Sequence, residues 1–204
     1  DLDRIREFGR QFPVDHPMYR IGDAYLRFTD SDYSGALVAL EDLELSTEIE
    51  SSFAYPLMSM SALMMRDYDQ AEQYLLTANP LLTSDTAVNV DRKNFRSAIL
   101  LAYTYQQTGD TRRADRLLAE AERVISQMHR IGSGGYGISD VNIHALRGRK
   151  DAALDALREG GARVRELRPQ ASLEDVFVEL VSGEPGATVK INDEPVSVQV
   201  DGSF

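Results

Sequence analysis

Residues 99–121 read ILLAYTYQQTGDTRRADRLLAEA, two amphipathic runs that meet at Gly109–Asp110. In the first run Leu101, Ala102 and Tyr105 fall at i, i+1 and i+4, on one face of a helix. Gly109 is suited to end that helix, because a residue without Cβ takes positive φ at little cost. Asp110 is suited to cap the next helix by accepting from its free N–H groups. In the second run Ala114, Leu117, Leu118 and Ala121 recur at spacings of three and four. Small residues where two antiparallel helices cross predict a helical hairpin. One hairpin cannot bury its apolar face alone, so further copies are expected.

They are found by working outward. Ala36, Ala71, Ala114 and Ala153 are spaced 35, 43 and 39 residues apart, and each has a leucine four residues on: Leu40, Leu75, Leu118 and Leu157. A first hairpin is predicted from Met18–Phe28 and Tyr33–Leu43, with Ile21-Gly22-x-x-Tyr25 at its centre. A second pairs Tyr55–Met65 with a return helix capped by Asp67, lined by Ala71, Leu75 and Ala78 and ended by Asn79-Pro80. The quoted stretch is the third, behind a long polar connection at Leu81–Val90. The fourth runs from Ile138–Leu146 through Gly148 to Ala153 and Leu157, with His144 where the others lead one to expect tyrosine. Ahead of them, residues 1–12 read as a helix or arm bearing Leu2, Ile5, Phe8 and Phe12 at helical spacing.

The recurring pattern, large–small–x–x–Tyr, then Gly-Asp, then Ala-x-x-x-Leu-x-x-Ala, resembles a tetratricopeptide repeat (TPR). The usual period of that repeat is about 34 residues, so two connections carry insertions. Residues 92–160, above all the run Gly134–Val141 (GGYGISDV), are similar to the TPR region of bacterial signalling proteins. Those parents carry an adenylate/guanylate cyclase or a winged-helix DNA-binding domain, and neither is present in this chain. The resemblance implies a mainly α fold: residues 1–161 as about four stacked antiparallel hairpins in a right-handed superhelix. Residues 162–204 are expected to form a small tail with a short strand in Arg163–Leu167, a helix from Ser172 to about Val181, and a β-hairpin of Thr188–Ile191 and Val196–Val200. The stretch Ala156–Leu180 also resembles the tail after the nucleotide domain of some bacterial export ATPases. The chain contains no G-x-x-x-x-G-K-[ST] loop, so that likeness implies only a shared strand–helix unit.

Composition narrows the function. Acidic residues outnumber basic ones 33 to 22, for a net charge of −11, and no basic stripe suits nucleic acid. The chain has no cysteine, hence no disulfide, thiol nucleophile or thiolate zinc site, which fits cytoplasm and periplasm equally. No apolar run approaches the roughly 18 residues of a membrane span. A helical pattern that begins at Asp1 with no leader predicts a segment of a longer protein.

Several motifs point to sharper chemistry and are weighed against packing. Asp30-Ser-Asp32-Tyr-Ser34-Gly35-x5-Glu41 fits the ligand spacing of a calcium loop. Asp32-Tyr33-x-x-Ala36 equally aligns with Asp67-Tyr68-x-x-Ala71 at the start of a return helix, and that alignment is preferred. Met58, Met60, Met64 and Met65 are of a type that suits Cu(I) but more often fills helix packing or a permissive groove. His16, His129 and His144 have no metal-ligand spacing, the Gly132–Gly137 run lacks the strand that precedes a phosphate cradle, and no G-x-S-x-G elbow supports a serine nucleophile. No cofactor, metal or catalytic residue is therefore expected.

The expected function is non-catalytic recognition of a protein or peptide, as sensor or scaffold; the alternative is a small-molecule receptor or an accessory domain of an enzyme. In such a stack the first helix of each pair lines the concave side. The residue after the small position, and those three and four further on, then point into the groove. Counting from Gly22, Ser59, Ala102 and Val141 selects Asp23, Leu26, Arg27, Met60, Leu63, Met64, Tyr103, Gln106, Gln107 and Asn142. Leu26 and Leu63 are expected in packing between repeats. Arg27, Met60 and Tyr103 are expected to be partly exposed on one face.

Overall fold

A computed structural model describes residues 7, 11–83, 88–129 and 138–159, and the backbone of 163–164, 188–191 and 194–199. The described chain is mainly helical. Its α-helices are α1 (Pro17–Thr29), α2 (Tyr33–Leu40), α3 (Glu48–Met64), α4 (Tyr68–Ala78), α5 (Phe95–Gln107), α6 (Thr111–Ile125), α7 (Ser139–Leu146) and α8 (Lys150–Glu159). A 3₁₀ turn, Pro80–Leu82, follows α4. Most of the N-terminal arm, the Gly132–Gly137 run and the helix expected from Ser172 lie outside the described residues.

The same turn occurs four times. Ser31, Arg66, Gly109 and Gly148 take left-handed φ values of 62°, 60°, 87° and 68°. The next amide, of Asp32, Asp67, Asp110 or Arg149, donates to the carbonyl five residues back at 2.9, 2.9, 2.8 and 2.8 Å. That bond satisfies a carbonyl the ending helix leaves free. Asp32, Asp67 and Asp110 then accept from the amides of Gly35, Gln70 and Arg113 at 2.9, 3.1 and 3.0 Å, capping α2, α4 and α6. Arg149 has no such acceptor, which marks the fourth turn as the degenerate one. Four residues after each cap stands the repeated alanine: Ala36, Ala71 and Ala114 have no exposed surface and Ala153 is 4% exposed. Ala36–Leu40, within the candidate calcium loop, lies on α2.

Helix α3 departs from expectation. It begins at Glu48, seven residues ahead of the predicted start, because Thr47 and Glu50 form a capping box. The Thr47 hydroxyl accepts from the Glu50 amide at 3.1 Å, and the Glu50 carboxylate accepts from the Thr47 and Ser46 amides at 3.0 and 2.8 Å. Two free donors at the helix start are thereby satisfied reciprocally. Desolvation works against the Glu50 charge, but hydrogen bonds from Thr47 and Ser46 outweigh it and hold this carboxyl below its usual range. Pro56 lies inside the helix and has no N–H for the Ser52 carbonyl. Both residues are exposed, so water can take up the freed carbonyl.

Two compact units divide the chain, residues 1–89 with 100–114 and residues 90–99 with 115–204, so the boundary runs through α5 and α6. In the first unit α1 packs on α2, α3 on α4, and α3 also on α1 and α2. Its core holds Ile21, Ala24, Phe28, Ala36, Leu40, Ala54 and Leu57. In the second unit α7 packs on α8 around Val141, Ala153, Ala156 and Leu157. There the strands β1 (Arg163–Val164), β2 (Thr188–Ile191) and β3 (Glu194–Gln199) lie in the order β1-β3-β2. Both pairings are antiparallel, with Val164 opposite Val198 and Val189 opposite Val196.

With no free surface at Ala114, a longer side chain there has no room. Ala114→Leu is expected to cost about 1–3 kcal/mol through overpacking, read as a lower denaturant midpoint at unchanged slope. An unchanged midpoint would mean that the alanine is not a crossing point.

Candidate functional site

The residues picked from the sequence occupy quite different environments. In the first unit, Asp23 on α1 accepts from Arg27 Nε at 2.8 Å, and Arg27 Nη1 reaches Asp32 at 3.3 Å. Hydrogen bonding to Asp23, its charge, and the bond to Asp32 raise the Arg27 pKa. Arg27 is exposed as expected, but its guanidinium is tied to its own helix and turn. Met60 and Met64 are half-buried and pack against the core of this unit. Leu63 is 7% exposed, in keeping with a packing role. Gln106 and Gln107 are half-buried, and Gln107 Oε1 accepts from the Tyr68 hydroxyl at 3.4 Å.

Tyr103 requires a correction. It is 5% exposed, so it does not share an accessible face with Arg27 and Met60. Its ring meets Tyr68 of α4 edge-on, with centroids 6.3 Å apart. The position after the small Ala102 is therefore filled by the return helix of the preceding hairpin. Tyr25 departs in the opposite direction, at 44% exposed. The equivalent Tyr105 reaches back to α4, whereas Tyr25 belongs to the first described hairpin and has no earlier return helix among the described residues.

Tyr105 sits at the centre of a cluster of ionisable side chains in the first unit. Its hydroxyl donates to Glu72 at 2.8 Å and accepts from Arg113 Nη1 at 3.2 Å. The Arg113 guanidinium lies 4.3 Å from the Tyr105 ring centroid, and its Nε donates to Asp110 at 2.5 Å. These groups border an open hollow of about 550 Å³ with Asp69, Thr108 and Arg112. Burial first, then the bond to Glu72 and its charge, push the Tyr105 phenol up to about 12. A phenol so poorly acidic is a weak proton donor near neutral pH, and Glu72, Asp110 and Arg113 are engaged with one another or with it. The arrangement is a latch between hairpins.

The second unit has its own version. Glu122 on α6 receives Arg147 Nη1 on one carboxylate oxygen and Arg149 Nη1, at 2.9 Å, on the other. An acidic residue on a return helix thus reaches the next hairpin, as Glu72 reaches Tyr105 and Arg113. Beside it, Glu122, Ile125, Ser126, Asp140, Ile143 and His144 line a mostly apolar cleft of about 170 Å³. His144 lies against the preceding return helix, as Tyr105 does in its own unit. Asn142, the last predicted groove residue, is half-buried, with its Oδ1 enclosed and lacking a protein hydrogen bond.

Among the exposed apolar side chains of the described residues, which also include Val14, Val38 and Leu81, two fall in line on α3. Ile49 is 65% and Phe53 56% exposed, and Pro56 is exposed as well. They fall at i, i+4 and i+7 on α3, and Met60 at i+11 continues the line. The stripe runs from exposed at the start of α3 to half-buried at Met60. The groove reading found only its buried end. The missed signal was Thr47-x-x-Glu50, which extends the helix back far enough to align Ile49 and Phe53 with Met60. No family model, curated protein or solved structure matches the chain.

The latch makes a pH prediction. A phenol pKa raised in the folded state stabilises the fold fully below the unfolded value of about 10, and that stabilisation is lost as pH rises toward about 12. Wild-type stability should therefore fall faster than that of Tyr105→Phe across this window, in denaturant melts at matched ionic strength. Parallel curves would contradict the latch.

Proposed function

We propose that the chain is a tetratricopeptide-like module that recognises a protein segment and carries out no chemistry itself. The observation that carries this reading is the stripe Ile49–Phe53–Pro56 on the first helix of the second hairpin. Apolar side chains in line on a helix suit side-chain docking by another protein. The fourfold turn, the buried alanines at the spacing of the repeat, and the Glu72 and Glu122 latches support the repeat architecture. In this reading the paired strands form its C-terminal tail. Asp23, Arg27, Met60, Met64, Gln106 and Gln107 flank or support docking in the first unit, Asn142 belongs to the second, and Tyr103 serves packing. A role in bacterial signalling rests on the resemblance at residues 92–160 alone. The cleft of about 170 Å³ is smaller than the roughly 300 Å³ at which small-molecule pockets begin. The hollow of about 550 Å³ beside Tyr105 is large enough, but it is open and its Glu72, Asp110 and Arg113 are already paired, so the receptor remains the second reading.

Site-specific photocrosslinking tests the proposal. A benzophenone side chain at position 53, with the same group at the exposed Val38 as control, is irradiated in lysate of the source cells. Adducts with another protein are expected at position 53 and not at 38. Absence of adducts at 53, or equal labelling at both sites, would remove the assignment of this face.

A further inference from the structure

The segment that carries the stripe is strongly acidic. Residues 11–83 hold twelve acidic side chains against three basic ones, Arg20, Arg27 and Arg66, a local net of −9 out of −11 for the whole chain. Of these basic groups, Arg27 is paired with carboxylates and Arg66 is distant, while Arg20 keeps its charge beside Glu41 and offsets one carboxylate of the rim. Arg20 donates to the carbonyls of Ala39 and Glu41 at 2.8 and 2.6 Å, and Arg27 is held by Asp23 and Asp32. Arg66 lies past the far end of α3, roughly 25 Å along the axis from Ile49 at 1.5 Å per residue. By contrast Glu41, Asp42, Glu44 and Glu48, all exposed, come within the eight residues before Ile49. Glu50 is consumed by the capping box and is not part of this rim.

We infer that the stripe receives a basic amphipathic helix of a partner protein, its apolar side chains on Ile49, Phe53 and Pro56 and its Lys and Arg over the acidic rim. This rests on the protein-recognition reading and adds the chemistry of the partner. Charge complementarity selects the sign. Bringing an acidic segment, an anionic lipid surface or a second copy of this chain to the stripe places like charges together in a poorly screened gap. The helical form of the partner follows from hydrogen bonding. Apart from the Ser52 carbonyl that Pro56 leaves free and the first amides of the helix, the face of α3 offers side chains rather than a ladder of backbone groups, so most amides of an extended segment would lose water without replacement. From Ile49 to Met60 the stripe covers about 16 Å, the length of about three turns of a partner helix. Long-range attraction between the acidic rim and a basic helix also speeds encounter, so association should be salt-sensitive.

The test is a display library of short amphipathic helices with a constant apolar face and a polar face randomised among Lys, Glu, Gln and Ser. It is selected on the full chain and counter-selected on Ile49→Ser/Phe53→Ser, whose substituted side chains are mostly exposed. Enrichment of net-positive polar faces is expected. Fluorescence anisotropy of an enriched peptide should then show binding at least about tenfold weaker to Ile49→Ser/Phe53→Ser. Binding should also be weaker to Glu44→Gln/Glu48→Gln, and weaker when salt rises from about 0.05 M to about 0.5 M. The second variant leaves the apolar stripe intact, so it tests the charge even if the serine variant melts early. Enrichment of acidic or neutral faces would overturn the basic partner and leave protein recognition standing. No enrichment over the counter-selected chain, or equal binding to all variants, would overturn both.

Discussion

The structure depends on how closely two helices pass at a residue with only a methyl group. Ala36, Ala71 and Ala114 have no surface left, and each follows a turn of one fixed geometry. The left-handed residue and the amide bond five residues back reverse the chain. The cap starts the return helix, and four residues later the alanine allows close packing. A larger side chain would force the helices apart and lose contacts over the whole crossing. Two of these four turns hold glycine at the left-handed position; Ser31 and Arg66 adopt a similar φ with a Cβ, at a cost in backbone strain that the neighbouring bonds offset.

Hairpins built this way still need to be fixed to one another, and polar side chains contribute to that. Glu72 holds Tyr105 and Arg113, and Glu122 holds Arg147 and Arg149. The Glu72–Tyr105 and Glu122–Arg147 bonds are partly buried, where hydrogen-bonded charges act more strongly than at the exposed Arg113 and Arg149. Aromatic packing of Tyr103 on Tyr68 adds to the first latch. A residue recruited into such fixing is buried or paired, whereas the apolar side chains at the start of α3, Ile49 and Phe53, stay exposed. There the stripe extends beyond the residues that pack.

Much of the architecture was legible from local chemistry. The alanine spacing, Gly109-Asp110 and the aspartate caps are short-range signals, and the helices stand close to where they place them. The start of α3 was not read, because Pro56 sits one residue inside the predicted helix, a normal place for proline in a first turn. The capping box at Thr47–Glu50 is the local signal that sets this start, and with it the exposed half of the stripe. The burial of Tyr103 was not legible in the same way. Whether the residue after a small position faces water depends on what the previous return helix presents, here Tyr68, some 35 residues away in sequence. The exposure of Tyr25 has the same origin with the opposite outcome.

The central claim is that the accessible apolar surface of α3 begins at Ile49 and Phe53, whereas Tyr103 serves packing. Fluorine NMR of chains carrying one fluorinated ring, at position 53 or at position 103, reads this directly. The account predicts a solvent isotope shift between H₂O and D₂O at position 53 and none at 103, because only the first ring meets water. A shift at 103 with none at 53 would contradict it.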